Sequence, residues 1–190
     1  MNHWESEGPP PEAYSRVTNP ERFRPLHTFM VKLISQLEAA FDVERLEVDV
    51  FDDVLARSEL VHPGVKLLPR DPGAAPIVVA FTAFPGLRLR AGRRYTDAFP
   101  GCGCDACAET LAGEIERLTR IVDDVTAGRF REAVWMAAGG EVWQMSEFLS
   151  PDGYHSNKSL IDRAPARQVL GESERLALAW RPWPRRGSGQ

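Results

Sequence analysis

The sequence predicts an α+β fold: a mostly antiparallel sheet with two long amphipathic helices packed on one face. Three observations predict it. Apolar residues recur at helical spacing in two segments, one near the start and one after the cysteines. β-Branched and aromatic residues crowd Ile77–Phe84 and return beyond residue 130. Runs of neighbouring strands set between helices favour antiparallel pairing, with the helices gathered on one side.

The first helix is expected over residues 20–41. Asn19 suits the N-cap, Pro20 the first helical position and Glu21 the positive end of the dipole. Phe23, Leu26, Met30, Leu33, Leu37 and Phe41 draw one stripe, widened by Phe29 and Ile34. Residues 42–75 leave alternatives open: 46–51 alternates like a strand, 52–56 could continue as helix, and Val65–Leu68 could be a short strand. Ile77–Phe84 and Leu87–Arg90 read as a hairpin, with Pro85-Gly86 supplying a type II turn and Gly86 its positive φ.

The second helix is expected after the cysteines, capped by Asp105 and ended by Gly128. Leu111, Ile115, Leu118, Val122 and Val125 form its buried stripe, with Glu114, Glu116, Arg117 and Asp124 outside it. Phe130–Met136 and Val142–Leu149 are two more strands, Ala164–Leu170 a short helix, and Leu176–Trp180 a last strand stopped by Pro182 and Pro184. Trp143 and Trp180 are expected to pack on a sheet face, and Trp183, between prolines, to be exposed.

With 190 residues, 43% hydrophobic and 26% charged, the chain suits one folded domain over 16–184 between loose tails at 1–15 and 185–190. A net charge of −4 gives no global attraction to nucleic acid or anionic lipid. The polar, acidic opening lacks the basic start and apolar core of a secretory signal. No apolar run approaches the roughly 18 residues of a membrane helix. These features predict a cytoplasmic protein with no membrane association and no specific nucleic-acid target, leaving a protein partner open.

Cys102, Cys104 and Cys107 are the only cysteines, at C-x-C-x-x-C spacing beside Gly101 and Gly103. An odd, clustered set suits a reducing compartment better than a disulfide framework. Three soft ligands on a curling loop suit a structural zinc site. His155 is the candidate fourth ligand; His27, His62 and, more weakly, Asp105 are others. A second reading is thiol redox chemistry at Cys104/Cys107, since a helix start would favour thiolates. A third is simple packing of small thiols.

Around this motif, A-F-P-G-C-G-C-D-A-C-A-E, followed by the second helix and G-R-F-R-E at Gly128–Glu132, resembles a family from high-GC Gram-positive bacteria known as domain of unknown function 6226. The resemblance runs from about Tyr14 to Pro184 and includes F-T-A-F-P-G at Phe81–Gly86. It implies a single bacterial domain and brings no activity, cofactor or catalytic residue with it.

Two other features suggest chemistry. Arg88, Arg90, Arg93 and Arg94 form a local basic patch near Tyr95, and Arg88 and Arg90 share a strand face. Guanidinium forks match phosphate oxygens, although a solvated strand face is the commoner outcome. Asp152, His155 and Ser156 sit together in a polar stretch expected to be a loop, but adjacency in sequence does not make a triad. The nucleophile-elbow, zinc-protease and phosphate-loop motifs are absent. The function expected is therefore a non-enzymatic interaction or accessory protein with a structural zinc at the cysteines. The alternative is a small-molecule binder or enzyme with a polar cleft involving His155 and the Arg88–Arg94 patch.

Overall fold

The computed structural model describes residues 8–48, 60–162, 170–171 and 173–187. Two 3-10 turns, Pro11–Tyr14 and Pro20–Phe23, precede helix α1 (Pro25–Ala40). Five strands follow: β1 (Val43–Val48), β2 (Gly64–Pro69), β3 (Ile77–Thr82), β4 (Gly86–Ala91) and β5 (Tyr95–Phe99). After α2 (Leu111–Thr126) come β6 (Phe130–Met136), β7 (Val142–Ser150), β8 (Gly153–Ile161) and β9 (Arg175–Ala179). Residues 8–15, assigned to a tail from sequence, include the first 3-10 turn, whose Ala13 is buried. The alternatives at 52–56 and nearly all of the helix expected at 164–170 lie outside the described residues.

The strands form two sheets, which overturns the single sheet with both helices on one face. One sheet runs β1-β2-β3-β4-β5 and the other β8-β7-β6-β9, every described pair being antiparallel. Helix α1 packs on β1 and β4, whereas α2 packs on β7 and on α1. Alternation tells which side of a strand is buried, but not which strand lies beside it. The first sheet is a meander in strand order, with short turns joining β3 to β4 and β4 to β5, and α2 then carries the chain away to begin another.

The core is continuous across both layers. Phe23, Leu26, Met30, Ile34 and Leu37 from α1 and its approach meet Val79, Phe81, Leu87 and Leu89 of the first sheet. Leu118, Val122 and Val125 of α2 join Phe130 and Phe148 of the second. The α1 stripe is buried as expected at Phe23, Leu26, Met30, Leu37 and Phe41; at one turn Ile34, at 2% exposure, takes the place of Leu33, which is only half-buried. Asn19 makes no side-chain cap; a 3-10 turn occupies the first residues of the expected helix.

Gly86 is needed for a different reason from the one expected. It pairs with Thr82 inside the ladder, and a Cβ there would lie 2.5 Å from the Phe99 carbonyl oxygen. Close approach of β5, rather than positive φ, excludes a side chain. The polar stretch 151–158, expected to be a loop, falls largely within the long edge strand β8, with His155 exposed opposite Phe148.

Two tertiary ties join distant parts. Glu132 of β6, 5% exposed, accepts backbone N–H bonds from Arg93 and Arg94 in the β4–β5 turn and from Tyr95 at the start of β5, at 2.7–3.0 Å. It also accepts the Trp180 indole N–H at 2.9 Å. One carboxylate thus ties the two sheets together. The segment 181–186 forms a strap: Arg181 N donates to Gly73 O, Trp183 N to Thr126 O, and Arg186 N to Ala40 O. Asp42 N in turn donates to Pro184 O. Trp183, expected to be exposed, is 3% exposed; its indole donates to Ala75 O at 2.8 Å and its ring meets Phe41 edge-on. Its ring belongs to the main core despite the flanking prolines.

Candidate functional site

The cysteines lie on the loop between β5 and α2. Gly103 has φ +81, and a Cβ on it would lie 2.8 Å from the Phe84 ring, so only glycine permits the curl that brings the thiols together. The three sulfurs lie within 4.8 Å of one another, and those of Cys104 and Cys107 are 3.4 Å apart. Cys102 and Cys107 are exposed and Cys104 is buried.

The loop is held from several sides. The Glu109 carboxylate accepts N–H bonds from Cys102 at 3.1 Å and Gly103 at 2.6 Å. Arg22 donates to Gly103 O at 3.1 Å, Asp105 N to Arg16 O and Ala106 N to Ala13 O. Asp105 does not cap α2. Its carboxylate accepts from Thr18 N at 2.9 Å and from the Thr18 hydroxyl, and pairs with Arg16. Thr110 is the cap instead, its hydroxyl oxygen accepting from Gly113 N. The cysteines therefore stand before the helix rather than on its first turn, which removes the dipole argument for thiolates. Their mutual hydrogen bonds favour a thiolate at Cys104 and oppose one at Cys107. Bonding to the Cys102 thiol lowers the Cys104 pKa, and bonding to Cys104 pushes that of Cys107 up to about 12.

Among the described residues no histidine joins this group. His155 lies on the edge strand of the other sheet, paired with Phe148. His27 instead bonds Gly86 O through Nε2 at 2.8 Å and meets the His62 ring at 6.1 Å. The structure brings the three cysteines together and leaves the proposed fourth ligand elsewhere.

Beside the loop, a cleft of about 400 Å³ opens under the β3–β4 turn. Thr82, Phe84, Arg88, Ala98, Pro100 and Cys102 are among its lining residues. Arg88, singled out with the basic patch, and Cys102, singled out with the thiols, thus share one concavity. Arg90, Arg93 and Arg94 do not line it.

Sequence reasoning also placed two buried carboxylates of α2 on its outer face. Asp124, 1% exposed, pairs with Arg129 at 2.8 Å and accepts the Ser150 hydroxyl. Glu114 pairs with Arg117 at 2.7 Å. That guanidinium also reaches Asp97 and Ala98 O, and covers the Phe99 ring at 4.0 Å. Helical spacing alone gives such carboxylates the look of a solvated face; only their arginine partners reveal otherwise.

Burial raises the Glu114 pKa above its ordinary value, outweighing the hydrogen bond and charge of Arg117, which lower it. The native state therefore holds this proton more tightly than the unfolded chain does. Its contribution to stability is complete below the ordinary carboxylate pKa and is lost as pH rises through the raised one. Glu114→Gln cannot titrate, so it should gain on the parent in urea denaturation as pH rises from about 4 to 7. A constant difference across that range would refute this account.

Among the described residues no helix is long and apolar enough to cross a membrane. No curated protein and no solved structure matches the chain. The family resemblance carried by the cysteine segment nevertheless has a counterpart over almost the whole sequence: the model of a family of unknown function, DUF6226, matches residues 1–187, and the chain belongs to that family.

Proposed function

We propose that Cys102, Cys104 and Cys107 bind one zinc ion, which acts as a structural staple in a non-enzymatic accessory or interaction protein. The observation carrying this reading is the convergence of three sulfurs within 4.8 Å. Zinc–thiolate bonds of about 2.3 Å in tetrahedral geometry need sulfurs about 3.8 Å apart, so small side-chain rotations suffice. Soft thiolates select zinc over hard cations.

The surroundings favour a structural role. The loop's backbone and Asp105 together hold Ala13, Arg16, Thr18 and Arg22 through hydrogen bonds. An ion fixing the loop would therefore also fix the segment leading into α1. Three protein thiolates leave a tetrahedral ion one further position, for water or for a ligand from a partner.

Protein purified under reducing conditions without chelator should carry about one zinc per chain by elemental analysis. With free zinc a hundredfold above Kd, binding contributes about 2.7 kcal/mol. Chelation should then lower Tm by roughly 5–10 °C. Cys104→Ser should lose the metal and melt like the chelated parent. A Cys104–Cys107 disulfide would instead appear as a two-dalton mass change on reduction, and would favour the redox reading. No metal, with Cys104→Ser as stable as the parent, would remove the proposal.

A further inference from the structure

We infer that the cleft beside the cysteine loop binds a small organic oxyanion, a carboxylate or a phosphate, anchored by Arg88. Strand register builds the site. Thr82 pairs with Gly86 and Arg88 with Ala98, so these residues share the face of the first sheet opposite to the buried Leu87 and Leu89. On that face Arg88 is flanked by Ala80 of β3 and Ala98 of β5. Neither neighbour extends beyond a methyl group, so the strands beside Arg88 leave room around its half-buried side chain. The β3–β4 turn, through Phe84, and the loop after β5, through Pro100 and Cys102, raise walls around it.

Its place in a concavity separates this arginine from an ordinary solvated one. Arg16, Arg45, Arg117, Arg129 and Arg181 each have a carboxylate within ion-pair distance. Among the described residues, none pairs with Arg88, and no Asp or Glu lines the cleft. A guanidinium beside apolar walls has lost part of its water and presents a planar fork that fits two oxygens of one anion. The volume of about 400 Å³ lies in the range of small-ligand sites, and Arg88 is the charged residue among the described ones that line it. The carbon skeleton of the ligand would rest on Phe84 and Pro100, and its charged end on Arg88.

This inference stands on the cleft alone, so its test uses chelator-treated protein and its outcome is separate from that of the zinc proposal. Inorganic phosphate and malonate are titrated at constant ionic strength into ¹⁵N-labelled protein. Saturable shifts are expected at the amides of Ala83, Arg88, Gly101 and Cys102. Arg88→Gln should weaken binding at least about tenfold, as loss of a hydrogen bond to a charged group does. Arg93→Gln, an exposed turn residue outside the cleft, should leave it unchanged. Ala98→Leu, which fills the floor and keeps the charge, should abolish it. Saturation by phosphate alone identifies a phosphate ligand, and by malonate alone a carboxylate; either supports the inference. Shifts that do not saturate, that survive Arg88→Gln and Ala98→Leu, or that weaken equally in Arg93→Gln would overturn it.

Discussion

Replacing Glu132 with alanine should cost about 3–5 kcal/mol of stability, measured by urea denaturation with tryptophan fluorescence. The side chain is buried and accepts four N–H groups, three from the β4–β5 turn and the start of β5 and one from Trp180. Deleting it strands all four donors, and each unsatisfied buried donor costs about 1–3 kcal/mol before water or rearrangement recovers part. Glu132→Gln keeps one acceptor oxygen and turns an amide toward the donors, so its loss should fall between alanine and parent. Arg94→Ala removes only the nearby bond to Gln144 and should cost under about 1 kcal/mol. An alanine variant at 132 within 1 kcal/mol of the parent would show that the sheets are held together without this tie.

Ile34→Ala should destabilise by about 2–5 kcal/mol, the usual range for truncating a fully buried aliphatic side chain. Ile34 belongs to the continuous core, while Leu33 packs against its margin. Leu33→Ala should therefore cost distinctly less, and exposed Lys32→Ala no more than about half a kcal/mol. Equal losses at 33 and 34 would mean that the helix is rotated from the register described. The comparison is sharp because adjacent helical positions point about 100° apart.

Legibility in the sequence followed the strength of local patterning. The stripes of α1 and α2, with both Ile34 and Leu33 already on the candidate face, were readable because side-chain burial repeats with the helix. Strand β8 was not. Its exposed edge position asks for no apolar alternation, and Tyr154, His155, Ser156, Asn157 and Lys158 look like a loop. Strand β5 is short and half-buried; its Asp97 binds Arg117 and the Tyr95 hydroxyl, while the Tyr95 ring packs on Phe130 and Phe148 of the other sheet. Partition into two sheets depends on which strands meet, information that no single segment contains. At the site, convergence of the thiols could be read from their spacing and the neighbouring glycines. The companions of the site could not be read in that way. Glu109, Thr110 and Arg88 reach their places through tertiary packing, and His155 is carried away by the pairing of β8.

The strap at 181–186 has a consequence for the order in which this protein can be completed during synthesis. It satisfies backbone groups at Ala40, Asp42, Gly73 and Thr126, and its Trp183 fills a core position against Phe41. Helix α1 and the first sheet leave the ribosome long before the strap does. Until residue 186 is free of the exit tunnel, the end of α1, the approach to β3 and the end of α2 share one uncovered seam. Closing it joins residues about 140 positions apart, as in the Phe41–Arg185 bridge, so the last contacts are among the most distant in sequence. A nascent chain halted before the strap would hold its earlier elements in an unfinished, exposed arrangement, the kind of species on which chaperones and proteases act.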